Sequence, residues 1–288
     1  MRKGVRRGVR SNGSIGHRGT LPSKPADTTQ RQYVINSPLL PPQFELVQLG
    51  RVDNVMQEAA RRARDGADEG TVVWAVEQTD GRTRRGHPWY SPPGNLYCSL
   101  ILRPDFPNER CGQLAYVAAL SAGSALAGLL SPMTGLRYRW PNDLLINELR
   151  AGQILLGASH GDGDPYEWLT VGVMINVEQH PPNPEPEEFN SVQASGAAEV
   201  TAVQVLEDFT KYFLNWINRW AEHGFEPIDR QWQIRADGIG DGLEIHMGDQ
   251  VIGGTFVKLD EQGRLVVMGP DQVERLISVN ECFALGKK

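Results

Sequence analysis

The spacing of apolar positions divides the chain into segments of distinct character. Val52, Val55, Met56, Ala59, Ala60 and Ala63 recur at helical spacing and predict one apolar helical face. The β-branched run Thr71–Val76 predicts a strand, and Leu96–Leu102 predicts a second one, apolar on both faces. Gln113–Leu130 carries no charge and is rich in small residues. It predicts a buried helix, because its apolar core is too short for a comfortable membrane span. Short strands are expected at Leu136–Trp140, Leu144–Asn147, Ile154–Ser159 and Leu169–Val177, and a surface loop at Pro181–Pro186. Val203–Trp220 places Leu206, Phe209, Phe213, Trp216, Ile217 and Trp220 on one helical face, with Thr201 as its N-cap. Beyond Trp232 the pattern changes to strands punctuated by glycine. Turns are expected at Gly248-Asp249 and Asp260–Gly263, and residues 238–285 predict a small β-barrel.

Composition narrows the class. The 288 residues are 40% hydrophobic and 22% charged, as in ordinary globular proteins, which excludes fibrous and wholly disordered chains. Three dispersed cysteines, with no C-x-x-C pair, argue against a disulfide framework or a thiolate zinc site and suit a reducing cytoplasm. The net charge of −6 is uneven. Residues 1–31 hold eight basic side chains and one acid, Asp27, so the remainder carries about −13 once this +7 is removed. That segment is poor in apolar residues and predicts disorder. It reads as a nucleic-acid or anionic-surface arm, a transit-like segment or an idle extension, and the last is favoured, since a short basic tail is little evidence of a role and the acidic body repels polyanions. Order is expected from Leu39–Phe44 onward.

The chemistry is concentrated between Glu77 and Ser99. Arg82, Arg84 and Arg85 lie between Gly81 and Gly86. Guanidinium groups grip phosphate oxygens, and glycines let a loop reorder around a ligand. Trp89 offers a flat face to a base. The same stretch is also compatible with a solvated basic loop or an RNA-binding loop. Arg139-Trp140-Pro141-Asn142-Asp143 fits either a β-turn or a triphosphate and metal site, and Gly172–Asn176 fits a core strand ending in a polar amide.

In this order and spacing, the G-R-x-R-x-G loop, the W-x-S-P-x-G-N-L-Y-x-S segment, the W-P-N-D box, the G-x-x-I-N strand and the terminal small barrel resemble the biotin–protein ligases of the biotin/lipoate ligase superfamily, from about Phe44 to Leu285. The resemblance implies an α+β fold: a mixed, largely antiparallel sheet flanked by helices, related to class II tRNA synthetases, plus a C-terminal SH3-like β-barrel. It divides the chain into a basic tail (1–40), a catalytic domain (41–236) and the barrel (237–288). It implies activation of biotin by ATP with Mg2+, then transfer to a lysine of a biotin carboxyl carrier protein. It also implies a cytoplasmic monomer or homodimer. No specific DNA binding is expected, because the tail is too short for a winged helix, and no membrane association is expected.

By the same resemblance, Arg82 sits near the biotin carboxylate and Arg84 near the adenylate phosphate. Asn54, Gln78, Gln153 and Gly172 fall in the biotin half. Arg85, Trp89, Arg139, Asn142, Asp143 and Asn176 fall in the nucleotide half, Asp143 also serving the metal. Arg150 stands where the family has a lysine touching both carboxyl and phosphate. The chain departs from the family at Thr83, Gln153 and Met174, where glycine is usual, and at Arg139 and Arg150, where lysine is usual. Asp53 replaces a small polar residue and would place a carboxylate near the urea head. Two alternatives follow: a ligase for another acyl acid such as lipoate or octanoate, or a binding protein without turnover.

Overall fold

The longest sheet in the molecule is built around its most apolar strands. The computed structural model describes residues 37–160, 163–183, 188–247 and 250–286. Strands β1 (Glu45–Val52), β2 (Thr71–Gln78) and β3 (Leu96–Leu102) are followed by β4 (Leu136–Arg139), β5 (Asp143–Ile146), β6 (Leu149–Ala158) and β7 (Leu169–Ile175). With β8 (Ala236–Asp237) they form one sheet in the order β1-β2-β3-β7-β6-β5-β4-β8. The two outermost pairings, β1 with β2 and β4 with β8, are parallel, and every other pairing is antiparallel. Strands β3 and β7 lie at its centre and are buried at every position. This is why both read as continuous apolar runs.

Helix α1 (Val55–Arg64) packs Val55, Ala59 and Ala63 against the sheet. The sequence reading starts that helix at Val52, but Val52 ends β1. Asn54 interrupts the periodicity by adopting extended backbone and capping the helix. Helices α2 (Gln113–Leu129), α3 (Ala202–His223) and α4 (Glu226–Gln233) follow in chain order. Together with the turn that precedes it, α2 is long and apolar enough to cross a membrane, but 78% of the apolar window is buried inside the protein. Helix α3 begins in a capping box, with the Thr201 side chain taking the Gln204 N–H and the Gln204 side chain taking the Thr201 N–H. Replacing Thr201 by alanine is expected to cost about 1 kcal/mol, read as a shift in urea midpoint at constant slope.

The C-terminal segment forms a four-stranded antiparallel sheet in the order β12-β11-β10-β9, made of β9 (Gly242–Met247), β10 (Gln250–Leu259), β11 (Leu265–Met268) and β12 (Glu274–Ile277), and ends in α5 (Val279–Phe283). It is the small antiparallel unit expected from the sequence. The turn after Leu259 is closed by Asp260, whose carboxylate accepts the N–H groups of Gln262 and Arg264. Gly263, at φ +78°, lies against Phe225 and Tyr116, where a side chain would collide. Tyr116 Oη donates to the Gly263 carbonyl at 2.8 Å and accepts Trp140 Nε1–H at 2.8 Å. One phenol thus joins α2, the small sheet and the W-P-N-D segment. The expected N-terminal disorder and the Gly248-Asp249 turn fall outside the described residues, as do residues 184–186 of the proline-rich loop.

Candidate active site

A cavity of about 850 Å³ opens between the large sheet and the small one. Arg84, Arg85 and Trp89 line it from the loop after β2. Arg139, Asn142 and Asp143 line it from the β4–β5 turn, and Arg150 and Gln153 from β6. Antiparallel pairing sets Asp143 opposite Gln153, which is how residues ten apart in sequence come to share one wall.

Three of the cavity's arginines are held by oxygen partners. Arg150 Nη2 lies 2.7 Å from Asp143 Oδ2. Arg139 Nε donates to Asp237 Oδ2 at 2.7 Å. Half-buried Arg84 reaches across to the small domain, where Nη1 donates to the Cys282 carbonyl at 3.0 Å. Burial pushes the Arg84 pKa downward, but guanidinium keeps its charge. Burial pushes the Asp143 carboxyl upward, while Arg150, Arg139 and Arg84 pull it down. The carboxylate therefore sits under the influence of three cations.

The loop itself is a small hairpin. Thr83 N–H donates to the His87 carbonyl at 2.8 Å, and Thr83 Oγ1 accepts the His87 N–H at 3.1 Å. The second bond needs a hydroxyl, so the threonine ties a segment that glycine would leave free. Arg82 forms an ion pair with Asp80 and points toward solvent.

The structure does not bring every expected residue to the cavity lining. Arg82 is not among the lining residues, though its carbonyl accepts Gln153 Nε2–H at 3.0 Å. Asn54 serves α1: its Oδ1 accepts the N–H groups of Met56 and Gln57, and its Nδ2 donates to the Asp80 carbonyl. Gln78 lies under the loop with Oε1 accepting the Val55 N–H at 2.9 Å. Gly172 is covered by Met56, whose sulfur stands where a Cβ would be. Asn176 is fully buried, with Nδ2 donating to the Asn190 carbonyl and Oδ1 without a partner among the described residues. Asp53 is a correction. Its carboxylate is bound by Arg61 at 2.7 Å and by the Asn54 N–H, so it is committed to the start of α1 and not offered to a ligand. Gly152, the residue before Gln153 in β6, packs against the Met174 carbonyl.

The far wall was not legible in the sequence. Asp237, Asp241, Glu244, Ile245, His246 and Phe256 come from β8 and the small domain. The parallel register of Arg139 with Asp237 is what returns the chain to the site after almost a hundred residues. The one local signal was the carboxylate ahead of two glycines at positive φ, Gly238 and Gly240.

Residues 87–234 match the model of the biotin/lipoate A/B protein ligase family, slightly over half of the chain. The chain belongs to that family. Residues 239–285 match the biotin protein ligase C-terminal domain, so the small sheet is the family's companion domain. A biotin–[acetyl-CoA-carboxylase] ligase of Paracoccus denitrificans is 33% identical over 226 residues, 77% of this chain and 93% of that protein. The bifunctional ligase/repressor BirA of Bacillus subtilis is 29% identical over 80% of this chain and 71% of its own length. A biotin protein ligase-like protein of unknown function from Silicibacter sp. TM1040 superposes with a TM-score of 0.72 at 26% identity, covering 85% of this chain and 99% of that one. The biotin protein ligase of Aquifex aeolicus, solved with biotin and ATP, shares the fold at a TM-score of 0.67 and 24% identity, over 81% of this chain and 95% of that one.

Proposed function

We infer that the protein is an ATP-dependent biotin–protein ligase. It joins the carboxylate of biotin to the AMP part of ATP, releases pyrophosphate, and passes the biotinyl group to a lysine of a biotin carboxyl carrier domain. The convergence of Arg84, Arg139 and Arg150 around Asp143 in the cavity carries this reading.

The chemistry needs such a place. A carboxylate must attack a phosphorus atom surrounded by oxygen anions, and positive charge must offset their repulsion as the bond forms. Arg84 and Arg139 flank the nucleotide end and supply that field. Arg150 pairs with Leu145 in the strand register and reaches back with its side chain to Asp143, where the acid's carboxylate would meet the α-phosphate. The hairpin at residues 81–89 covers the mixed anhydride against water. The acceptor lysine attacks as the neutral amine and AMP leaves, so no protein nucleophile is required. Cys98 is accordingly core: it is 1% exposed, with its thiol pushed up to about 12 by burial.

Among the described residues no three His, Cys, Asp or Glu side chains cluster to hold a metal. Asp143 would be the carboxylate to hold a Mg2+ that accompanies the triphosphate, and the ion would supply positive charge beside the phosphates.

Biotin-dependent exchange of labelled pyrophosphate into ATP tests the reading. Exchange only with lipoate or octanoate would move the protein to another acyl acid, and tight biotin binding without exchange would make it a binding protein. Arg150→Lys is expected to keep exchange within about threefold of the native rate, because lysine keeps the positive charge beside Asp143 and is the usual residue at this position in the family. A dead variant would show that the guanidinium shape is used.

A further inference from the structure

Gln153 and Trp89 line the cavity, and Met174 packs against Gln153 in the same buried cluster as Trp89. Met174 pairs with Gln153 across β6 and β7 and is fully buried. Gln153 Nε2 approaches its sulfur at 3.4 Å, and Gln78 Nε2 approaches it from β2 at 3.9 Å. Both glutamines are themselves buried, 1% and 5% exposed. Trp89 packs in the same cluster at 7% exposure, and its indole N–H has no partner among the described residues.

Two amide donors thus converge on a thioether, a weak acceptor, next to an indole donor with no acceptor. Each amide gives one hydrogen to an oxygen, Gln153 Nε2 to the Arg82 carbonyl at 3.0 Å and Gln78 Nε2 to Ser91 Oγ at 3.2 Å, which leaves the hydrogens aimed at sulfur and the Trp89 indole N–H without an oxygen partner among the described residues. The cluster can thus receive one further carbonyl-type oxygen. A methionine is well suited to hold that place reversibly, because its unbranched chain has several rotatable bonds and repacks at low cost.

We propose that Met174 is a displaceable plug in an acid-binding recess, and that its sulfur holds the place taken by the ring carbonyl of the acid once bound. The proposal rests on the ligase reading and adds a selectivity determinant to it: Met174 must swing out before a cyclic urea or amide head can enter, and Gln78 and Gln153 then donate to that head. Only the fraction of molecules with the plug withdrawn is competent, so the apparent dissociation constant is raised by the inverse of that fraction.

The test is calorimetric titration of biotin, and separately of ATP, into the native protein, Met174→Ala and Met174→Leu. Met174→Ala is expected to bind biotin about tenfold more tightly, and Met174→Leu, of similar volume but branched and without the thioether, about tenfold more weakly. ATP affinity should stay within about twofold in both, and melting temperatures confirm that each variant is folded. Equal biotin affinity in all three proteins would overturn the plug while leaving the ligase reading intact if the native protein still supports exchange. Biotin binding gained only in Met174→Ala would keep the plug and reject biotin as the natural acid. Binding in none of the three would overturn both.

Discussion

Arg84→Ala should lower biotin-dependent pyrophosphate exchange by at least about a hundredfold, the scale of losing one preorganised donor at a developing oxyanion. The expectation follows from position. Arg84 is the half-buried arginine of the loop, reaching from the hairpin to the Cys282 carbonyl of α5 and lying close enough to Asp143 to influence its ionisation. Its removal subtracts charge at the nucleotide end and also cuts the tie between hairpin and companion domain. The two effects separate kinetically. Loss of transition-state charge lowers kcat and kcat/KM together, whereas loss of the tie alone raises KM for ATP with kcat retained. An exchange rate near that of the native protein would remove Arg84 from the proposed chemistry.

Trp232→Ala is expected to destabilise the fold by about 3–5 kcal/mol, the range for deleting a large buried aromatic. Trp232 is 2% exposed and sits among Tyr116, Tyr138 and Phe256, with ring centroids at 5.3, 6.2 and 6.4 Å. Those rings belong to α2, β4 and β10, so the indole is shared by the large sheet, its covering helix and the companion domain. Phe256 also lines the cavity, so the surviving folded population should show a raised KM for ATP. Denaturant unfolding followed by tryptophan emission and by far-ultraviolet dichroism would reveal it: a loss below about 1 kcal/mol would mean the neighbouring rings close the gap.

The legible parts of the fold were those whose own residues carry the signal. Leu96–Leu102 is apolar throughout because β3 is buried throughout, and α3 announces itself through Thr201 and its aromatic stripe. Strand β1 was not legible, since an edge strand with exposed and half-buried positions throughout has no clean alternation. Helix α4 was missed because eight residues give only two turns of periodicity. For the site, the arginines between Gly81 and Gly86 stood out locally, and so did Asn142 and Asp143. What remained hidden is nonlocal: the return of Asp237 beside Arg139, and the Cys282 carbonyl that receives Arg84. The departures at Gln153 and Met174 were visible one at a time, but their pairing across β6 and β7 is a property of register alone.

Three of the cavity's arginines already have oxygen partners: Arg139 on Asp237, Arg150 on Asp143, and Arg84 on backbone carbonyls. On the proposed function, nucleotide entry at these positions would swap one oxygen for another and would not be the capture of an anion by bare cations. Added salt competes with both sides of such a swap, so ATP affinity should decline with ionic strength less steeply than the number of arginines in the cavity would suggest.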